Sequence, residues 1–305
     1  MGTIQTKELG STGLLLPEIG LGTWNYHGGS GPLRRGIEAG ATFIDTAESY
    51  GTESVVGDVV RGMRDRMFIA TKVSPQNFRG KDLKRSADGS LRTLGIDRID
   101  LFQLHEPNPS IPIEETMGVM GDLVDAGKVR FIGVCNFSVR QLEQAQAALG
   151  ERRIVSNQVR YSIIDRTIDT GLLQYCQAHH ITVIAYSPLG RQFSRISDCD
   201  PSGVIDELAR VTGKSPAQIV INWCLCKEQV VAIPKGNSTQ HILDNCGGSD
   251  WRLSQEQLAL LDSRIQYRRR SRFDSLVRHW VPEPVQAMAV RALNTLPPGI
   301  RRRFC

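Results

Sequence analysis

Short apolar and β-branched runs punctuate the chain: PEIGLGT from Pro17, FIDTA from Phe43, MFIATKV from Met67, IDLFQLH from Ile99, VRFIGVCNF from Val129, IVSNQV from Ile154, ITVIAYSPL from Ile181 and VVAIPKG from Val230. Each has the length of a strand and is too continuously apolar for one wet face, so both faces are expected to be buried. Segments with helical spacing lie between them. In SVRQLEQAQAALG, Leu142, Ala145 and Leu149 share a face and Gly150 supplies a stop. Eight alternating strand and helix units in 305 residues predict an α/β fold, a closed (β/α)₈ TIM barrel forming one domain over residues 1–266. A doubly wound open sheet is the alternative. It is disfavoured because no strand runs into a G-x-G-x-x-G turn; GGSGPLRRG from Gly28 follows TWNYH and reads as a loop. Ahead of the first unit, IQTKELGSTGLLLPEIG reads as a β-hairpin turning at Gly10 to Gly13, a plug for the barrel bottom.

Charge adds an asymmetry to this picture. Residues 267–305 hold nine arginines against Asp274 and Glu283, so within a chain of net charge +5 the first 266 residues carry −2. In this basic C-terminal extension, Val285, Met288, Ala289, Ala292, Leu293 and Leu296 form an apolar stripe, expected to be a helix packed on its own barrel. The cluster matches no nucleic-acid-binding module and a membrane-surface role is disfavoured, so neither kind of partner is expected. No stretch approaches the ~18 uninterrupted apolar residues of a membrane span, and MGTIQTKELGSTG lacks the apolar core of a signal peptide. MGTIQT fits an acylation pattern too loose to carry weight. Seven cysteines without a C-x-x-C pair indicate reduced thiols and no zinc knuckle. A cytoplasmic monomer or weak oligomer with no metal is the expectation.

In a barrel, the C-terminal strand ends form the active face. Here they are polar: Asp45, Lys72, His105, Asn136, Asn157 with Gln158, Tyr186 with Ser187, and Lys235. Tyr50 follows Asp45 in the next loop. A tyrosine hydroxyl near its ordinary pKa of about 10 is a poor proton donor or acceptor at neutral pH. Lys72 beside it would favour the phenolate and lower that pKa, burial would raise it, and Asp45 would hold Lys72 charged. His105 could orient the same substrate oxygen.

The motifs GLGTW, FIDTAESYG, ATKV, LFQLHEP, GVCNF, NQVRYS, AYSPLG and IPKGN, in this order over residues 5–265, resemble the aldo-keto reductase superfamily. The resemblance implies a barrel that binds NADPH, with NADH as the weaker alternative, and reduces a small-molecule carbonyl substrate through the tetrad Asp45, Tyr50, Lys72 and His105. It also implies cofactor contacts. Asn136 and Gln158 would meet the nicotinamide carboxamide, Tyr186 would stack on the ring, and Ser187, Leu189 and Gly190 would follow the pyrophosphate. Lys235 would lie near the adenosine 2′-phosphate, and Asp244 and Asn245 near the adenine. Gly22, Thr23, Trp24, Ile233, Gly236, Asn237 and His241 complete the implied cofactor site.

Three departures stand out. Cys135 occupies a position where serine is usual. The second departure is IPKGNSTQHILDN, where Gly236 stands at a position at which serine or threonine is frequent. His241 stands where NADPH-preferring members often carry arginine, which implies weaker NADPH affinity and a modest, pH-sensitive preference over NADH. The third departure is the C-terminus, which aligns with no family template. Trp24, Tyr26, Phe78 and Trp280 are candidates for lining an apolar substrate pocket. Two rival functions share the barrel: a cofactor-binding redox-sensing subunit with little turnover, and a Schiff-base aldolase using Lys72 or Lys235. A metal-dependent hydrolase is disfavoured because no strand ends in H-x-H, and His179 and His180 read as a helix end.

Overall fold

The structure, a computed structural model, describes residues 3–267. The apolar stripe, Trp280 and all of the basic extension after Tyr267 lie outside the described residues. The described residues hold ten strands: β1 Thr6–Glu8, β2 Leu15–Pro17, β3 Leu21–Gly22, β4 Phe43–Asp45, β5 Phe68–Val73, β6 Ile99–Leu104, β7 Val129–Cys135, β8 Ile154–Arg160, β9 Thr182–Tyr186 and β10 Val230–Ile233. β1 and β2 form the antiparallel hairpin. β3 to β10 pair in chain order as one parallel sheet of eight strands, with helices between them.

The sheet closes on itself at its two edges. Ile19 bridges Ala232 in parallel, the Gly20 amide donates to the Ala232 carbonyl at 2.8 Å and the Ala232 amide to the Glu18 carbonyl at 2.8 Å. The run from Pro17 is therefore shared: Pro17 ends the hairpin, and β3 keeps only two residues. Glycine permits this seam, since a Cβ on Gly20 would stand 2.5 Å from the Phe43 ring and one on Gly22 2.6 Å from the Ile233 carbonyl oxygen.

Strand side chains alternate between two cores. Phe43, Phe68, Ala70, Leu101, Ile184, Val231 and Ile233 form an inner cluster with Leu9 and Leu16 of the hairpin. Their neighbours Ile44, Ile69, Phe102, Val183, Ala185 and Ala232 belong to the outer cluster under the helices. The hairpin is thus the expected plug. Lys7 fastens it, donating to the Leu225, Lys227 and Val230 carbonyls at 2.6, 3.0 and 2.8 Å.

The helix expected after Ser138 spans Val139–Leu149 with a capping box between Ser138 and Gln141, and it buries Leu142, Ala145 and Leu149. One expectation fails. GGSGPLRRG is not a loop, because a helix runs over Ser30–Glu38 and buries Leu33, Gly36 and Ile37. Those three positions have the i, i+3, i+4 spacing of a buried face, and Gly36 lets it close on Leu21 and Ile242, where a Cβ would meet side chains at 2.8 to 2.9 Å.

Candidate active site

The inner-facing parity of β4, β5, β6 and β9 carries directly into the site. Asp45 lies two residues beyond Phe43, Lys72 two beyond Ala70, Gln103 two beyond Leu101, and Tyr186 two beyond Ile184. A period of two keeps all of these on the inner face, so polar groups replace apolar ones where the barrel opens. Tyr50 arrives differently, at the end of a 3₁₀ turn over Glu48–Tyr50 that follows β4.

These residues meet. Lys72 Nζ donates to Asp45 Oδ1 at 2.5 Å and to the Thr46 carbonyl at 2.8 Å, and it lies 4.8 Å from the Tyr50 ring centroid. Tyr50 Oη is 3.3 Å from His105 Nε2. The second Asp45 oxygen accepts from Gln158 Nε2 at 2.7 Å and from Gln103 Nε2 at 3.2 Å. Lys72 is fully buried and Asp45 nearly so, so the pair is held by direct bonds and not by water.

The electrostatics follow from that burial. Desolvation pushes the Tyr50 hydroxyl up to about 12, although the Lys72 ammonium pulls the other way. Both of the opposing effects expected from the sequence act on Tyr50, and burial is the larger. Burial is the largest single effect on Lys72 and pulls it down, but Asp45, Tyr50 and Cys135 together outweigh it and Lys72 ends above the ordinary lysine range. Burial, reinforced by Lys72 and opposed by Asp45 and Glu48, lowers His105 to about 4. At neutral pH the site thus holds a protonated tyrosine, an ammonium and a neutral imidazole.

A cleft of about 850 Å³ opens over this cluster. Gly22, Trp24, Asn136, Gln158, Tyr186, Ser187, Leu189, Ile233 and Lys235 line it together with Asp45, Tyr50 and His105. Asn136 has the opposite strand parity, but its left-handed backbone at φ 62° turns it into the cleft, where it donates to Glu106 at 3.1 Å and accepts from Tyr186 Oη at 3.2 Å. Asn157 keeps that parity and stays out of the cleft, clamping the Phe137 backbone through its carbonyl at 2.9 Å and its amide at 3.4 Å.

The family model for Aldo/keto reductase matches residues 18–266. The chain belongs to the aldo/keto reductase family. Methylglyoxal reductase YeaE of Escherichia coli (strain K12) is 36% identical over 258 residues, covering 81% of this chain and 90% of that protein. An aldo-keto reductase of Klebsiella pneumoniae in complex with NADPH shares 34% identity at a TM-score of 0.79, covering 88% of this chain and 98% of the other. A Klebsiella pneumoniae aldo/keto reductase in complex with NADP and acetate shares 35% identity at a TM-score of 0.79, over 87% of this chain and 97% of that one.

Several residues expected at this aldo/keto reductase's cleft are placed elsewhere. Thr23 is buried, its hydroxyl bonded to the Asp45 carbonyl and to Thr52 at 2.9 Å each. Tyr26 and Phe78 are 5% and 2% exposed, so they belong to the core and not to a substrate pocket. Gly190, Gly236, Asn237, His241, Asp244 and Asn245 do not line the cleft. Gly236 and Asn237 precede the helix Thr239–Cys246 and His241, Asp244 and Asn245 lie within it; Asn245 donates to the Lys235 carbonyl at 3.5 Å, Asp244 accepts from Gln218 at 3.1 Å and Asn237 accepts from the His27 amide at 3.1 Å.

Gly236 has a local cause: a Cβ there would stand 2.9 Å from the Ile242 amide nitrogen. The usual serine or threonine does not fit this packing. Cys135 lines the floor of the cleft, its thiol 3.8 Å from Gln103 Oε1, and burial holds it well above the ordinary thiol range. Sequence reasoning missed Gln103, Glu106, Arg191 and Arg195 as groups in or beneath the cleft. Gln103 had a signal, an amide on the inward parity of LFQLH. Among the described residues no cluster suits a metal ion, and no helix is long and apolar enough to cross a membrane.

Proposed function

We propose that this chain reduces aldehydes or ketones to alcohols with NADPH, Tyr50 giving the proton to the carbonyl oxygen. The observation that carries this reading is the approach of Tyr50 Oη to His105 Nε2, 3.3 Å apart at the floor of the cleft, above the buried Lys72–Asp45 pair. Burial keeps Tyr50 protonated at neutral pH, which is the form a donor requires. The Lys72 ammonium close to the ring stabilises the phenolate left behind, and its bonds to Asp45 and Thr46 keep it charged and in place. His105, neutral, orients the carbonyl oxygen by hydrogen bonding without adding a charge.

The residues present fit a nicotinamide dinucleotide. The cleft is of sufficient volume, a flat Tyr186 ring stands in its wall, and amides and Lys235 lie along it. Asn136 and Gln158 would hold the carboxamide, Tyr186 the ring, the Ser187–Gly190 turn the pyrophosphate and Lys235 the 2′-phosphate. Because Gln158 Nε2 is engaged by Asp45, Gln158 offers the carboxamide its oxygen as acceptor. When bound, the nicotinamide supplies the hydride. The family membership, the methylglyoxal reductase relative and the NADP and NADPH complexes of the Klebsiella relatives support the same reading.

The test is NADPH oxidation across a panel of aromatic and aliphatic aldehydes, run beside Tyr50→Phe. We expect turnover that collapses in the variant. NADPH binding by both proteins with turnover by neither would replace this reading with a cofactor-sensing subunit. The imidazole of His241 is a weaker phosphate ligand than a guanidinium, so the preference for NADPH over NADH is expected to be modest. A large preference left unchanged by His241→Ala, measured as the ratio of dissociation constants, would remove His241 from the cofactor site.

A further inference from the structure

We propose that Glu48 is a positioning residue for the proton donor, holding the turn that carries Tyr50 against the loop that follows Lys72. The inference rests on Tyr50 as the donor. The turn Glu48–Tyr50 is only three residues long, has no side-chain cap, and is followed by Gly51 in the left-handed region at φ 68°. Its own backbone contributes the Tyr50 amide bond to the Ala47 carbonyl at 3.0 Å. So short a turn has little rigidity of its own.

The missing constraint comes from one carboxylate oxygen. Glu48 Oε1 accepts from the Ser74 amide at 2.7 Å and from Asn77 Nδ2 at 2.9 Å. Ser74 follows directly on β5, which ends Lys72–Val73, and Asn77 closes the 3₁₀ turn Pro75–Asn77. That second turn is itself anchored on its far side, because Asn108, three residues after His105, donates to the Pro75 carbonyl at 2.9 Å. Glu48 and Asn108 thus fasten the segments bearing Tyr50, Lys72 and His105 to one short turn. Glu48 is absent from the cleft lining, so it acts through Tyr50 and not on a substrate.

A carboxylate suits the task. Two N–H donors converge on one oxygen, charge assistance strengthens both bonds, and the buried Ser74 amide would otherwise lack a partner. Both bonds end on Oε1, an acceptor that glutamine also has, so Glu48→Gln should preserve the clamp while Glu48→Ala abolishes it.

The experiment measures kcat, the NADPH dissociation constant and amide hydrogen exchange over residues 46–52 in the wild type, Glu48→Ala, Glu48→Gln and Tyr50→Phe. In Glu48→Ala we expect kcat to fall about 10- to 100-fold, the scale of a misplaced catalytic group. NADPH affinity should hold, Tyr50 amide exchange should speed up, and Glu48→Gln should stay near wild type on every measure. Wild-type kcat and exchange in Glu48→Ala, beside an inactive Tyr50→Phe, would overturn the positioning role alone. An active Tyr50→Phe would sink the donor reading, and the exchange comparison would still decide whether Glu48 holds the turn. Equal losses in Glu48→Gln and Glu48→Ala would show that the charge matters and the geometry does not. Should Glu48→Ala fail to fold, Asn77→Ala removes one of the two bonds and should give a smaller loss of the same kind.

Discussion

His105 and Tyr50 show how burial sets protonation one residue at a time. Their shifts point outward from neutrality: His105 falls to about 4 and Tyr50 rises to about 12. His105 is then neutral at every pH above its lowered value, and Tyr50 protonated at every pH below its raised one. The pH profile of kcat/KM for carbonyl reduction, which reports groups on the free enzyme, is expected to be flat from about pH 5.5 to about pH 9. An inflection near the ordinary histidine value of about 6.5 would contradict the lowered His105. The buried lysine works in the same terms, since Asp45 and its other neighbours together outweigh the cost of its burial and keep an ammonium next to the ring.

At the scale of elements, strand parity decides which polar residues face the cleft, and one exception depends on backbone. Asn136 enters the cleft because its backbone is left-handed, while Asn157 stays outside as a clamp on Phe137. The loop after β10 illustrates a second constraint. Gly236 packs against the backbone of Ile242 and His241 near the start of a helix, with Cβ approaches of 2.9 and 3.1 Å. Restoring the frequent serine, Gly236→Ser, should therefore force the loop or the helix to shift. We expect a loss of about 1–3 kcal/mol in urea unfolding, the usual cost of overpacking, together with weaker NADPH binding in a fluorescence titration. Unchanged values on both would mean that the helix start yields freely.

The whole molecule separates stability from chemistry along the barrel. The hairpin closes the end at which the strands begin, with Leu9 and Leu16 buried against Phe43, Phe68, Leu101 and Val231. The tetrad stands at the end where they finish. Leu9→Ala is expected to cost about 2–5 kcal/mol of stability, as large-to-small core changes do, while the folded protein keeps its kcat. Chemical unfolding paired with kcat measured well below the transition tests this, and a kcat loss as large as the stability loss would show that the two ends are coupled.

Much of this was legible in the chain. Runs such as FIDTA and IDLFQLH needed only hydrophobic pattern to be placed as strands, and strand after strand with a polar end placed Asp45, Lys72, His105 and Tyr186 on the open face. Those features are local, because a strand's period of two fixes the direction of a side chain wherever the strand packs. The helix at Ser30 escaped notice because its glycines and Pro32 resemble a loop until Leu21 and Ile242 are there to pack against. The same holds inside the site: Gln103 and Gln158 reach Asp45 from 58 and 113 residues away. The direction of the Tyr50 shift likewise required knowing that desolvation exceeds the pull of Lys72. The sequence by itself determined that the strand-end groups Asp45, Lys72, His105 and Tyr186 sit at the opening of the barrel. Only closure of the barrel decided which of them touch and how much water they lose, since contact and desolvation are properties of the surroundings and not of the residue.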